Sequence, residues 1–183
     1  MDDRRMLLTL ALAVLMLVAT SSGLSAAAPK HRATPKPGTL SAREATRVTA
    51  RLTRRLREVT WRWQAVMGRH RSRLGAPLDT RRALRFWRQK ARSVRRLAAH
   101  PPHRTGWLCI HRYEGSWRDS GDPYWGGLQM DRGFMRTYAP RLLLRRGLAN
   151  HWTPLEQMWV AEHAHRGRGY TPWPNTARFC GLG

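Results

Sequence analysis

One glutamate in the second half of the chain has the sequence surroundings of a general acid. Trp107, Ile110 and Glu114 recur at steps of three and four and therefore share one face of a predicted short helix, residues 107–114. Desolvation beside Trp and Ile disfavours the charged form of a carboxylate and raises its pKa. A general acid that works near neutral pH needs such a pKa. Spacing alone leaves a solvent-facing glutamate at a helix end as the alternative.

The residues that follow Glu114 are rich in tryptophan and glycine. Gly115-Ser-Trp117 comes first, and a polar stretch then leads to Tyr124-Trp-Gly-Gly-Leu-Gln-Met130. Because glycine has no Cβ, Gly126 and Gly127 would let the backbone approach a saccharide closely and adopt positive φ. Flat indole rings suit the apolar C–H face of a pyranose ring. These features predict a sugar-binding site.

The order and spacing of these pieces resemble the lysozyme-like superfamily, most closely the transglycosylase-like domain of actinobacterial resuscitation-promoting factors. The resemblance covers residues 102–183. Its pieces are the helix ending in Glu114, the aromatic turn, the Tyr124–Met130 element, a helix bearing Glu156-Gln157 and Glu162, and Trp173-Pro174 before a final cysteine. No such resemblance extends to residues 41–100.

The resemblance implies that Glu114 is the catalytic glutamate of a peptidoglycan-cleaving enzyme. Glu114 would protonate the leaving oxygen of the β-1,4 bond between N-acetylmuramic acid and N-acetylglucosamine, and would later act as the base. For each tryptophan in the predicted cleft, core packing is the alternative to sugar contact. The predicted substrate-binding residues are Trp117, Tyr124, Trp125, Gly126, Gly127, Gln129 and Trp173.

The second carboxylate that most glycosidases use is not evident in the sequence. Aligned on Gly126-Gly-Leu-Gln129, the position that carries it in animal-type lysozymes is Tyr124. The sequence therefore favours the course of lytic transglycosylases, in which the C6 hydroxyl of the muramic acid attacks the anomeric carbon. Intramolecular attack benefits from a high effective molarity. Hydrolysis with a second carboxylate is the alternative, with Asp122 as the best helper ahead of Asp119 and Asp131.

The chain has two cysteines, Cys109 and Cys180, and this even pair predicts one disulfide in an exported protein. In the similar family the first cysteine immediately precedes the catalytic glutamate, whereas Cys109 lies about one helical turn earlier. Cys180 also lies further beyond Trp173-Pro174 than usual, so the two shifts could compensate. The spacing of the cysteines does not fit zinc ligands, and no metal or cofactor is predicted. His111, His151, His163 and His165 lack a ligand arrangement with a third partner.

The N-terminus predicts export. Arg4 and Arg5 precede an apolar run from Met6 to Val18, which is shorter than the roughly 20 residues that a membrane span needs. Small residues follow, so residues 1–27 are predicted to be a signal peptide, and the protein to be secreted or cell-wall associated. An uncleaved N-terminal anchor is the alternative. Residues 28–40, which contain three prolines, are predicted to be an extended linker.

Two amphipathic stretches predict a basic helical hairpin over residues 41–100. Apolar residues recur at steps of three and four from Ala45 to Val66 and from Leu84 to Leu97, around a break at Gly75-Ala-Pro77. Predicted helix starts are a capping box at Ser41 and Glu44, a cap at Asp79 or Thr80, and a capping box at Thr153 and Glu156. Glu162 is expected to balance an arginine.

Charge is concentrated in the first helical region. The chain has 34 Lys and Arg against 11 Asp and Glu, a net charge of +23, and residues 29–106 hold 22 of the basic residues with three acids. Such an excess implies polyanionic surroundings. Residues 41–100 are therefore a candidate tether to anionic wall polymers, while the alternative is a solvated helix surface of arginine-rich composition.

The predicted fold is mainly α: a small lysozyme-like domain, residues 101–183, preceded by the hairpin, with at most a short β element near residues 125–130. The protein is predicted to act on peptidoglycan glycan strands as a monomer, without a dedicated nucleic-acid partner. The alternative from another class is a non-catalytic basic protein that binds the wall or nucleic acid.

Overall fold

The computed structural model describes residues 40–182, and this part of the chain is mainly α. The predicted signal peptide, residues 1–27, and the predicted linker up to residue 39 lie outside the described residues. The helices in chain order are α1 (Ala42–Val66), α2 (Arg81–Ala98), α3 (Arg104–Glu114), α4 (Arg132–Tyr138), α5 (Arg141–Leu144), a 3₁₀ turn (Ala149–His151), α6 (Pro154–Arg168) and α7 (Pro174–Phe179).

Three helix starts follow their predicted caps. At α1 the Glu44 backbone N–H donates to the Ser41 hydroxyl, and the Ser41 N–H donates to the Glu44 carboxylate. At α2 the cap is Thr80, whose hydroxyl accepts from the Ala83 N–H at 3.1 Å. The capping box of α6 is also present, with Pro at its first position. Side chains that accept from the first free N–H groups fix where each helix begins.

The predicted β element is a single bridge between Trp125 and Met130, whose backbones exchange two hydrogen bonds of 3.1 and 3.0 Å. The turn that it closes presents Gln129 at φ 47°, a left-handed conformation that a non-glycine residue seldom adopts. The bridge therefore fixes an unusual backbone geometry at one of the predicted site residues.

Helices α1 and α2 pack along each other through small and aromatic side chains. Thr53 and Thr60 of α1 and Ala83 and Ala91 of α2 are fully or almost fully buried, which lets the helix backbones approach closely. The hydroxyls of both threonines donate to backbone carbonyls one turn earlier, so neither hydroxyl is left unpaired.

The same two helices share one hydrophobic core with the rest of residues 40–182. Val66 and Val94 belong to the buried cluster that also contains Trp107 and Trp159. The Trp159 indole N–H donates to the Ala98 carbonyl at 2.9 Å. Residues 40–182 therefore form one packed unit, and the change of composition near residue 100 is not a boundary between packed units.

A buried carboxylate on α6 adds a polar link between the two halves of this unit. Glu156 is fully buried and accepts from Arg62 of α1 and, at 2.7 Å, from Arg146. Burial raises the pKa of Glu156, but the hydrogen bonds from the Thr153 N–H and the two arginines outweigh it and hold the pKa below its usual value. The ionised Glu156 thus links α6 to α1 through its ion pair with Arg62.

None of the helices in residues 40–182 is both long and apolar enough to cross a membrane.

Candidate functional site

Glu114 is the last residue of α3, and its half-buried carboxylate opens into a groove. Its Oε1 atom accepts a hydrogen bond of 2.8 Å from the hydroxyl of Thr176 on α7. This section of the groove has a volume of about 200 Å³ and is lined by Glu114, Tyr124, Gln129, Pro172, Trp173, Pro174, Asn175 and Thr176. The carboxylate therefore lies among polar and aromatic groups that a ligand can reach.

Two further sections adjoin the one that holds Glu114. A section of 390 Å³ shares Tyr124, Gln129, Pro172 and Trp173 with it and is also lined by residues of α4. A section of 370 Å³, lined by Asn175, Arg178 and Phe179, shares Asn175 with it. The shared residues show that the surface around Glu114 has further depressions next to it.

The helical face that the sequence predicted is present, but it does not form an apolar wall around Glu114. Trp107 and Ile110 are both fully buried, and neither lines the groove. Glu114 is the last residue of this helix, and Gly115 follows it at φ 130°. The hydrogen-bond partner of the carboxylate is the Thr176 hydroxyl. The lining of this groove section therefore differs from the expected apolar wall of Trp107 and Ile110.

Gln129 and Asp119 form a hydrogen-bonded pair beside Glu114. The Gln129 Nε2 atom donates to Asp119 Oδ2 at 2.7 Å and to the Gly126 carbonyl at 3.0 Å. A Cβ at Gly115 would lie 3.5 Å from Asp119 Oδ2 and 3.7 Å from Gln129 Nε2, which places the pair next to the residue after Glu114. Hydrogen bonds from the Gly121 N–H and from Gln129 lower the pKa of Asp119.

Three of the predicted substrate-binding residues line the groove with Glu114: Tyr124, Gln129 and Trp173. Tyr124 is 48% exposed, so much of its ring is open to a ligand. Trp173 is buried, and its indole N–H donates to the Leu128 carbonyl at 2.7 Å. Trp173 therefore forms part of the groove floor rather than a free stacking platform.

The two predicted cleft glycines lie behind the groove and pack against protein. A Cβ at Gly126 would approach Gln157 Oε1 to 2.5 Å, and one at Gly127 would approach His111 to 2.5 Å and Trp117 to 2.7 Å. The absence of a side chain at both positions is thus required by protein packing, in contrast to the predicted close approach of a saccharide.

The other two predicted tryptophans also have protein partners. The ring of Trp117 stacks on His111 with a centroid distance of 3.9 Å. Trp125 is buried, and the Arg132 guanidinium lies 4.7 Å from the centre of its ring. Neither lines the section around Glu114, so core packing, the alternative that the sequence left open, describes their contacts here.

Of the three aspartates considered as a second carboxylate, Asp119 has the closest connection to the site. Asp122 is exposed and outside the groove section that holds Glu114. Asp131 caps α4 by accepting from the Phe134 N–H at 2.7 Å. The order of preference from the sequence, with Asp122 first, therefore differs from the arrangement in the structure.

The predicted pairing of Cys109 with Cys180 agrees with the structure, in which their sulfurs are bonded. Cys109 lies in α3 and Cys180 directly follows α7, so the disulfide ties together the helices that carry Glu114 and Thr176. The sequence reasoning missed Thr176. The sequence feature that could have indicated Thr176 is its position two residues after Trp173-Pro174, in the first turn of a short helix.

Within residues 40–182, one group of side chains is close enough to share a metal ion: His103, Glu162 and His165. Both oxygens of buried Glu162 are already occupied, by His103 Nδ1 at 2.9 Å and by the His103 and Trp107 N–H groups at 2.8 Å. Burial and the charge of His103 lower the pKa of His165. Glu162 thus pairs with histidine and tryptophan, and the expectation of an arginine partner is wrong.

Comparison with known proteins gives no relative for this chain: no protein family, no curated protein and no solved structure matches it.

Proposed function

We propose that this protein cleaves the glycan strands of peptidoglycan at the bond between N-acetylmuramic acid and N-acetylglucosamine. The observation that carries the proposal is the position of Glu114: a half-buried carboxylate that accepts a hydrogen bond from Thr176 and lines a groove with polar and aromatic residues. General acid–base catalysis needs such a group within reach of the bond to be broken. The resemblance of residues 102–183 to lysozyme-like transglycosylase domains supports the same role.

The lining of the groove suits a sugar polymer. Tyr124 offers an exposed ring, while Gln129, Asn175 and Thr176 offer hydrogen-bonding groups. Sugar rings are recognised by this combination of an apolar face for stacking and polar groups for the hydroxyls. The two adjoining sections would hold sugars before and after the cleaved bond.

The proposed reaction is that of a lytic transglycosylase. Glu114 gives its proton to the oxygen that leaves with N-acetylglucosamine as the bond from that oxygen to the anomeric carbon breaks. The C6 hydroxyl oxygen of the muramic acid then bonds to the same carbon and returns its proton to Glu114. Hydrolysis remains the alternative, although Asp122, the helper proposed for it, lies outside the section that holds Glu114.

The basic surface of α2 supports a tether to anionic wall polymers. Five exposed arginines of α2 surround a depression of 730 Å³: Arg85, Arg88, Arg92, Arg95 and Arg96. Among residues 40–182, no acidic side chain forms an ion pair with any of them. Unpaired guanidinium groups this close repel each other and favour a polyanion. A secreted or wall-associated location, after removal of residues 1–27, belongs to the same proposal.

The same arginine surface favours a second candidate function, a non-catalytic protein that binds wall polymer or nucleic acid. The two functions differ in whether Glu114 is required. A zymogram of peptidoglycan with the wild type and Glu114→Gln separates them. Clearing that is lost in Glu114→Gln and kept in the matched control Glu58→Gln, at an exposed glutamate of α1, supports the enzyme. No clearing by the wild type, or equal clearing by Glu114→Gln, would reject it.

A further inference from the structure

We propose that Asp119 is a positioning residue: it turns the side-chain oxygen of Gln129 into the groove, where that oxygen accepts a hydrogen bond from a sugar hydroxyl or acetamido N–H. The inference rests on the proposed function, because it concerns the groove that holds Glu114. It states which hydrogen-bonding group the ligand must place beside Gln129: a donor, either an O–H or an N–H.

The orientation of the Gln129 amide is fixed by its two partners. Its nitrogen lies 2.7 Å from Asp119 Oδ2 and 3.0 Å from the Gly126 carbonyl oxygen, and both partners can only accept. In the reversed orientation the amide oxygen would face two acceptors, so the nitrogen must occupy this place. The amide oxygen is left without a partner among the described residues, on a side chain that lines two sections of the groove.

Asp119 is itself held from three sides. Its Oδ1 accepts from the Gly121 N–H at 3.0 Å, and its backbone carbonyl accepts from the Gly126 N–H at 2.8 Å. Its Oδ2 remains for Gln129. The lowered pKa of Asp119 keeps the carboxylate ionised, and an ionised carboxylate can only accept. Each carboxylate oxygen of Asp119 therefore has one donor. In the pair of Asp119 and Gln129, the carboxylate always accepts and the amide nitrogen always donates.

The backbone of Gln129 supports a functional reason for this arrangement. Its φ of 47° lies in the left-handed region, which costs energy for a side-chain-bearing residue and is concentrated at functional sites. The groove beside Glu114 thus presents an acceptor oxygen next to two carboxyl groups. Such a surface favours ligand groups that carry O–H or N–H donors at this position.

Asp119→Asn tests the inference with almost no change of volume. The Gly121 N–H needs the oxygen of the introduced amide, so the NH₂ group must face the Gln129 nitrogen and the hydrogen bond between the two side chains is lost. If Gln129 turns over, its oxygen meets the Gly126 carbonyl oxygen, so neither orientation keeps both partners and the groove loses its fixed acceptor oxygen. The dissociation constant for a soluble fragment of alternating N-acetylglucosamine and N-acetylmuramic acid should rise about tenfold. Calorimetry in a Glu114→Gln background measures it without cleavage.

In a Gln129→Met background, which lacks the amide, Asp119→Asn should have no further effect on the affinity. A purely structural role for Asp119 predicts the same loss in both backgrounds. Asp79→Asn, at an exposed aspartate before α2, is the matched control and should bind like the parent. Thermal melting of each variant verifies that it is folded.

An unchanged dissociation constant in Asp119→Asn would overturn the inference, as would an equal loss of affinity on Asp119→Asn in the Gln129→Met background. Failure of the proposed function has a different signature. In that case the protein with Glu114 intact binds the fragment but does not cleave it, while Asp119→Asn still weakens binding in the presence of Gln129 and not in its absence. No binding by the parent protein would overturn both.

Discussion

The hydroxyl of Thr176 donates a hydrogen bond of 2.8 Å to the carboxylate of Glu114, so the proposed catalytic group is held by a residue 62 positions later in the chain. The Cys109–Cys180 disulfide joins the same two helices, α3 and α7. The position of Glu114 therefore depends on contacts that only the folded and oxidised chain provides.

Thr176→Val should reduce the rate of glycan cleavage without loss of the fold. Valine has nearly the same shape but cannot donate, so Glu114 loses the bond that orients it. A typical intramolecular hydrogen bond contributes about 0.5–1.5 kcal/mol, and we expect a kcat lower by up to about tenfold. The control is Thr46→Val on α1, whose hydroxyl donates to the Ala42 carbonyl far along the chain from the groove residues. Equal rates for wild type and Thr176→Val would show that this hydrogen bond does not matter for catalysis.

Replacing both cysteines by serine should lower the free energy of unfolding by about 4 kcal/mol, because the disulfide closes a long loop in the unfolded chain. Denaturant unfolding of the two forms measures the difference. Activity should fall as well, since α3 and α7 then separate more easily. Intact-mass analysis of oxidised protein that finds two free thiols would remove the basis of this expectation.

Glu156→Gln should destabilise the protein by about 2–4 kcal/mol at pH 7, because two arginines lose their buried charged partner. The pKa of Glu156 is lowered on folding, so its contribution is fully present above the unfolded value, near 4.5, and is lost as the pH falls through the folded value. The difference between wild type and variant should therefore shrink below about pH 4.5. Denaturant titrations at several pH values check this, and a difference that grows on acidification would contradict it.

The role of the α2 arginines is best tested in the whole chain, because α1 and α2 share the core of residues 40–182 and their deletion would expose it. Changing Arg85, Arg88, Arg92, Arg95 and Arg96 to Gln should weaken adsorption to whole cell walls and flatten its dependence on salt. Cleavage of short soluble glycan fragments should be unchanged. A matched set of five exposed arginines of α1 is the control: Arg43, Arg47, Arg51, Arg54 and Arg55. Equal losses in both sets would assign adsorption to net charge alone.

Local signals in the sequence predicted the helices well. The capping residues Ser41 and Thr153 and the apolar stripe of α2 are properties of neighbouring residues, and the structure contains them. Of the predicted stripe of α1 only Val66 is buried, because the buried side of that helix also presents Thr53 and Thr60. Helix α3 begins at Arg104, three residues before the predicted start, because the apolar stripe marks only its buried face. The single bridge at Trp125 and Met130 also agrees with the short β element that was expected.

The site could be predicted only in part, because its geometry comes from contacts distant in sequence. Glu114, Tyr124, Gln129 and Trp173 meet at the groove as the sequence indicated. The hydroxyl of Thr176 was missed, since its distance from Glu114 depends on the docking of α7. Composition also suggested a boundary near residue 100, although buried contacts such as that of Trp159 with Ala98 cross it.

The most direct test of the account is mass spectrometry of purified peptidoglycan digested with the wild type and with Glu114→Gln. The account predicts that the wild type releases disaccharide-peptide fragments with 1,6-anhydromuramic acid ends, each lighter by one water than its hydrolytic counterpart, and that Glu114→Gln releases none. Fragments that carry only reducing ends would show that the reaction is hydrolysis and not the transglycosylase reaction. The absence of fragments from the wild type, or the same fragments from Glu114→Gln, would contradict the central claim that Glu114 cleaves the glycan strand.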